Sequence, residues 1–232
     1  MDAIDPGRYR RIVFFTGAGM SAESGVPTYR GKGGVWSAYD WKTYACEHAF
    51  LDDPGRVLDF HEKRREAVLA CQPHAGHLAI AAVRDSWIVT QNIDGMHQRA
   101  GSRNVVELHG SLWRLRCMGC GFHQEDFSSV YASRRCACGH WLRPDIVWFG
   151  DMLDGHVMKQ AAGLIADADL FVSVGTSGTV WPAAGFPDLA RKNGAFLIEI
   201  NPEPSSGMDY DLVIRQPAGT ALPLLFPTGS GE

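Results

Sequence analysis

The sequence predicts an α/β protein in which a parallel sheet carries helices on both faces and a smaller, metal-held module sits beside it. Three observations predict this. Short apolar runs recur along the chain with helical patterns between them. Two stretches break that rhythm. Four of the six cysteines fall in two close pairs within 22 residues.

The first run, Ile12-Val13-Phe14-Phe15, ends in Thr16-Gly17-Ala18-Gly19. That is the pattern of a buried parallel strand entering a glycine turn. Similar runs occur at 87–90, 105–108, 170–174 and 196–200, and helical patterns at 74–84, 156–168 and 182–193. Residues 31–71 hold a Gly-rich turn, aromatic residues and a helix, but no strand. Residues 112–142 hold the cysteines. Both read as insertions that form a small domain of 31–71 and 112–142. The sheet domain then comprises 1–30, 72–111 and 143–232. The Gly/Ser-rich residues 227–232 read as a frayed tail.

Cys117-Met-Gly-Cys120 and Cys136-Ala-Cys138 are separated by fifteen residues, a zinc-ribbon spacing. Two pairs of thiolates can close a tetrahedron around one zinc ion. Such a site has no open position, so the metal is structural. The second pair is one residue tighter than usual, and His123 and His140 are alternative ligands if Cys136 does not reach. Cys46 and Cys71 remain. Cys71 follows an apolar stripe and reads as packing.

Composition narrows the function. A chain of 232 residues with 45% hydrophobic and 21% charged residues can bury one sizeable core with a satellite module. The net charge of −4 gives no reason to expect nucleic acid, and Arg114, Arg116, Arg134 and Arg135 are a thin basic set for a nucleic-acid-binding ribbon. There is no signal-like start and no apolar run of membrane-spanning length. These features predict a monomer in a reducing, cytoplasmic setting, away from the membrane.

Gly17-Ala18-Gly19-Met20-Ser21-Ala22 fits the dinucleotide turn G-x-G-x-x-A. The first glycine allows the turn and the second lets backbone approach a pyrophosphate. The acidic residue expected about twenty positions later has no clear counterpart. Asn201 and Glu203, after the run 196–200, are a second possible ribose site or simply a polar loop. Thr90-Gln91-Asn92-Ile93-Asp94 places two amides and a carboxylate at a strand's C-terminal end, where such sheets bind ligands. Asp94 can equally start a helix. His109 ends the run 105–108, just before the cysteine segment.

The helix predicted after Asp53-Pro54 has Asp52 or Asp53 as its cap. Val57, Phe60, His61, Arg64, Val68 and Cys71 form one stripe. Arg64 is costly on an apolar face unless it meets a partner or a polar pocket. Glu62, Lys63, Arg65 and Glu66 point elsewhere, which predicts that they are solvated.

Together GAGMSAESGVPTYR, TQNIDG, LHGS, CMGC, CACG, LRPDIVWFG, VGTSGTVWPAA and EINPEPS resemble the sirtuins, the NAD-dependent protein lysine deacylases. They run in family order from Thr16 to about Ser205. The resemblance implies a Rossmann-like domain and a small zinc module, with NAD and an acyl-lysine peptide meeting in the cleft between them. Gly17, Ala18, Gly19 and Ser21 would cradle phosphates, and Tyr29 and Arg30 belong to the cofactor loop. Gln91, Asn92 and Asp94 would hold the nicotinamide ribose and carboxamide. Gly175, Thr176 and Ser177 line the phosphate path, and Asn201, Glu203 and Ala218 would hold the adenosine. Cys117, Cys120, Cys136 and Cys138 would bind the structural zinc.

In the implied reaction the substrate amide oxygen attacks the ribose carbon bearing nicotinamide. A ribose hydroxyl then attacks the acyl carbon, with His109 as general base and Asn92 beside it. The products are lysine, nicotinamide and O-acyl-ADP-ribose, so NAD is consumed. Val147, Phe149 and Gly150 on one segment and Val180 on another would clamp the peptide as a strand. A mono-ADP-ribosyltransferase, or a non-catalytic NAD or ADP-ribose sensor, would use the same scaffold.

His61 and Arg64 resemble the Tyr-x-x-Arg pair of desuccinylating and demalonylating sirtuins, with histidine in place of tyrosine. Arginine suits a carboxylate. A protonated His61 would add a second positive charge, which predicts that succinyl-lysine binding weakens as pH rises through the histidine's titration.

Overall fold

In the computed structural model, which describes residues 3–28, 34–203, 205 and 209–227, all five apolar runs form strands. The strands in chain order are β1 (Ile12–Thr16), β2 (Trp87–Thr90), β3 (Val105–Glu107), β4 (Gly110–Cys117), β5 (His123–Glu125), β6 (Leu142–Ile146), β7 (Leu170–Val174), β8 (Phe196–Ile200) and β9 (Leu212–Ile214). Six of them make one sheet in the order β3-β2-β1-β7-β8-β9, with every pairing parallel. The other three make a separate antiparallel sheet with β4 in the centre.

The parallel sheet is covered on both faces, which is why its strands read as unbroken apolar runs. Ile12 and Phe14 of β1 join Ile88, Val172 and Ile198 under the helices Ala75–Ala82 and Ala218–Leu225. Val13 and Phe15 point the other way, into Phe171 and Leu197 under the helices Gly155–Ala166 and Phe186–Lys192. The strand order reverses direction at β1, which pairs with both β2 and β7. That reversal opens a crevice at the strands' C-terminal ends.

β9 is a strand that the sequence pattern does not reveal. It is a three-residue edge strand whose Val213 is exposed, so it offers no buried run to recognise.

The cysteine segment is built on the antiparallel sheet. Leu112, Leu115 and Cys117 of β4 point into a core with Leu142, Ile146 and Trp148, while Arg114 and Arg116 alternate outward. The four arginines of this region are engaged by the protein itself. Arg114 pairs with Glu107 and Asp145, Arg116 with Asp145 and Asp151, and Arg134 with Asp59 and Glu62. Arg135 lies over Trp141 at 3.6 Å from the ring centroid.

The helix Pro54–Leu69 packs on the same core, and Asp53 caps it through the Arg56 N–H at 2.9 Å. The expectation of solvated neighbours on this helix fails for two residues. Arg65 is fully buried. It pairs with Asp126 at 2.7 Å, donates to the carbonyls of Ser128 and Leu112, and stacks against Tyr131 and Trp113. Glu62 accepts from Arg134 and from the Tyr131 N–H. Lys63 and Glu66 are exposed. The reason for the miss is that the buried face is wider than one stripe. Val57, Leu58, His61, Arg65 and Val68 all turn inward, and a partner from 61 residues downstream cannot be read from local spacing.

Candidate active site

A cleft of about 580 Å³ lies at the C-terminal ends of the parallel strands, between the sheet and the small antiparallel module. Its floor is glycine. Gly17 and Gly19 follow β1, and Gly175 follows β7. A Cβ on Gly17 would stand 2.8 Å from the Gly175 oxygen, and one on Gly19 only 2.7 Å from the Gly175 Cα. Gly175 itself has φ +60°. Two loops therefore approach at backbone distance, which side chains would prevent. Ala18, Thr176 and Ser177 complete this wall. Asn201 and Glu203 line the cleft beyond them, and Asn201 Nδ2 donates to the Thr176 oxygen at 2.8 Å.

Gln91 and Asn92 line the cleft from the end of β2. Asn92 is held from three sides. Its backbone N–H donates to Thr90 Oγ1 at 3.0 Å, and its Nδ2 donates to the Gly17 oxygen at 2.9 Å and to Ser21 Oγ at 3.2 Å. Both amide protons are thus spoken for, which leaves Oδ1 as its remaining polar atom.

His109 follows β3 and lines the same cleft. Its Nδ1 lies 2.9 Å from the Gln91 backbone oxygen. A carbonyl only accepts, so Nδ1 carries the proton and Nε2 keeps its lone pair. Burial pushes the imidazole's pKa below its ordinary value, and the bond to Gln91 offsets part of that. The ring is therefore neutral and basic at one defined atom.

His61 and Arg64 come from the helix Pro54–Leu69 and line the cleft. His61 is fully buried, and its pKa is pushed down to about 3 by burial, with further lowering by the charges of Arg64, Arg143 and Arg65. This overturns the expected pH dependence. His61 stays neutral through the physiological range and cannot supply a second positive charge. The charge of Arg64 acts on both His61 and Asp94.

Val147, Phe149, Gly150 and Val180 also line the cleft. The N–H groups of Val147 and Phe149 already donate to the oxygens of His109 and Ala45, and that of Trp148 to Asp151. The segment is a turn rather than a free strand edge, so an added strand would have to use its carbonyls.

Outside the cleft, the sulfurs of Cys117, Cys120, Cys136 and Cys138 lie within 4.8 Å of one another. Cys117 and Cys138 are 3.4 Å apart, and Cys120 and Cys136 3.7 Å. Tetrahedral zinc with bonds of about 2.3 Å requires sulfurs about 3.8 Å apart. The cluster can hold one zinc ion. Cys136 reaches it despite the tight spacing, while His123 faces Asp145 instead.

The segment from Gly17 to Pro182 matches the model of the Sir2 family. The chain belongs to that family, the sirtuins. It is 46% identical over 93% of its length to the NAD-dependent protein deacylase 2 of Pyrobaculum aerophilum, covering 90% of that protein. It is 43% identical to the NAD-dependent protein deacylase 1 of Pseudomonas aeruginosa, with 93% of each covered. A solved Sir2 homologue in complex with NAD superposes with a TM-score of 0.87 at 38% identity, over 95% of this chain and 92% of the other.

In this sirtuin three expected cofactor residues stand behind the cleft wall. Ser21 is buried and holds Asn92. Asp94 is buried and accepts from the Met96 N–H at 2.9 Å, at the start of the short helix Met96–Arg99 whose N-cap is Gly95. Burial raises its pKa, against the bonds from Met96 and Ser21. Ala218 is buried at the start of its helix, where Glu23 caps the next N–H. Tyr29 and Arg30 lie outside the described residues. The sequence reading missed a support behind Asn92. Thr16 Oγ1 lies 2.8 Å from Thr90 Oγ1 and 3.0 Å from His97 Nε2. The threonines that end β1 and β2 were the available signal. No helix among the described residues is long and apolar enough to cross a membrane.

Proposed function

We propose that this sirtuin removes acyl groups from lysine side chains of proteins, consuming NAD and releasing nicotinamide and O-acyl-ADP-ribose. The observation that carries the reading is His109, a neutral imidazole with its lone pair at Nε2, in one cleft with Asn92 and the glycine floor. The glycines suit a pyrophosphate because they let the loops after β1 and β7 close into a wall of bare backbone. NAD when bound supplies a ribose carbon that loses nicotinamide, and hydroxyls that take up the acyl group.

The chain's own residues have separable tasks. Gly17, Ala18, Gly19, Gly175, Thr176 and Ser177 surround the phosphates, and the family resemblance adds Tyr29 and Arg30 as cofactor residues. Ser21 and Asp94 hold Asn92 and the turn around it, where Gln91 and Asn92 orient the nicotinamide ribose. Asn201 and Glu203, with Ala218 behind them, bound the adenosine. His109 Nε2 takes the proton of the attacking hydroxyl. Val147, Phe149, Gly150 and Val180 bound the peptide. Arg64 offers a fork to a carboxylate, which extends the range from acetyl to succinyl and malonyl groups. In this reading the enzyme works as a cytoplasmic monomer on proteins, not on nucleic acid.

Mass spectrometry of an acyl-peptide panel with and without NAD tests the reading. The expected result is lysine, nicotinamide and acylated ADP-ribose formed together, only with NAD. NAD cleavage without acyl loss would point instead to ADP-ribosyl transfer or simple hydrolysis. Arg64→Met should raise KM for succinyl-lysine about tenfold more than for acetyl-lysine.

The pH profile follows from His109. The base works only when neutral, and its pKa lies below the ordinary 6.5. The acidic limb of the activity profile should therefore have its midpoint below pH 6.5, with activity lost as pH falls through it. A loss centred above pH 7 would assign the limb to another group.

A further inference from the structure

The hydrogen-bonding sense of His61 is fixed by its own helix. Its Nδ1 lies 2.8 Å from the backbone oxygen of Val57, one turn back. That oxygen has no proton to give, so Nδ1 carries the hydrogen and Nε2 of the neutral ring is a bare acceptor. Nε2 is buried and has no hydrogen-bond partner among the described residues. Buried polar atoms are rarely left so, and an orphan on a cleft-lining side chain needs a reason. Arg64, one turn further along, brings only donors. The end of the cleft thus sets an acceptor beside donors.

Three kinds of acyl group meet this pair differently. A plain alkyl chain leaves Nε2 unpaired. A carboxylate can accept from Arg64 but faces His61 Nε2 lone pair to lone pair. A hydroxyl can donate to Nε2 and still accept from Arg64. Protonation of His61 would rescue the carboxylate, but Arg64, Arg143, Arg65 and the ring's burial all oppose it.

We infer that the acyl subsite is built for lysine carrying a short hydroxylated acyl group, whose hydroxyl donates to His61 Nε2. The inference rests on the deacylase reading and names the substrate class that reading leaves open.

The test compares kcat/KM of the full-length enzyme with NAD on one peptide carrying matched pairs: 3-hydroxybutyryl against butyryl, and lactyl against propionyl. Acetyl- and succinyl-lysine are run beside them. The expected result is a preference of about tenfold for the hydroxylated member of at least one pair. In His61→Phe, which keeps a ring but lacks the acceptor, that ratio should fall to about one. His61→Gln, which offers an amide oxygen, should keep most of it. Because either variant can misfold at so buried a position, nitrogen NMR of the wild-type imidazoles gives a second readout. His61, like His109, should show Nδ1 protonated and Nε2 bare, and the His61 Nε2 signal should move with a hydroxyacyl peptide but not with its matched alkyl peptide.

Turnover of acetyl or butyryl peptide with both ratios below about two would overturn the inference and leave the deacylase reading intact. So would succinyl preferred over hydroxybutyryl, or a ratio unchanged in folded His61→Phe. Absence of NAD-dependent turnover on every peptide would remove the deacylase reading, and this inference with it.

Discussion

His109→Tyr should lower deacylation by roughly 10²–10⁴-fold, the usual contribution of a positioned general base. NAD affinity should change by no more than about threefold, or 0.65 kcal/mol at RT of about 0.59 kcal/mol. The separation is expected because His109 is tied to the Gln91 oxygen and not to the glycine floor. A tyrosine's phenol, with a pKa of about 10, holds its proton at neutral pH and cannot serve as the base. Steady-state rates together with calorimetry of NAD binding measure both quantities. Near wild-type turnover would take the proton transfer away from His109.

Cys117→Ser should abolish stoichiometric zinc and unravel the antiparallel module. Cys117 ends β4 and is buried among Leu115, Leu142 and Trp141. Structural zinc sites contribute on the order of 10–16 kcal/mol, coupled to the folding of the segment around them. The module also carries part of the cleft wall, since Ile146 ends β6 and Val147 to Gly150 follow directly from it. Loss of metal should thus remove activity even though His109 and Asn92 are untouched. Metal analysis should find about one zinc per chain in the wild type and almost none in the variant. Limited proteolysis should cut the variant between Cys117 and Leu142 first. A variant that lost zinc yet kept its rate and protease resistance would make the metal dispensable.

The two kinds of structure in this chain were unequally legible. The central strands announce themselves because both faces are buried, so Ile12 to Phe15 contains no polar residue. The glycine turn was legible for a steric reason, since only glycine tolerates the approach of Gly175. The cysteine cluster was legible from spacing, although the tight second pair left Cys136 open against His123 and His140. Tertiary context supplied what spacing cannot. Arg65 looked like a surface charge because its partner, Asp126, is far along the chain. The hydrogen-bonding sense of His61 depended on a helical turn that the sequence allows but does not orient. β9 was missed because an exposed edge of three residues has no apolar signature. At the site, residues facing the cleft and residues holding them from behind share the same motifs. Ser21 and Asp94, read as ligand contacts, are buried and also bond within the fold, Ser21 to Asn92 and Asp94 to the Met96 N–H.

The order β3-β2-β1-β7-β8-β9 has a consequence for the protein's birth. β1 cannot gain its second neighbour until β7 has been made, because Thr16 pairs with Val174. At about 5–20 residues per second, translation leaves that side of β1 open for roughly ten to thirty seconds. Until then the nascent chain presents a half-sheet whose edge is β1, buried along its whole length in the finished fold, with Phe15 still lacking its partners Phe171 and Phe186. The two segments of the small module, by contrast, are complete once β6 emerges. Newly made chains should therefore carry a closed zinc module before a closed cleft, and during that interval their exposed strand is the natural target for a chaperone.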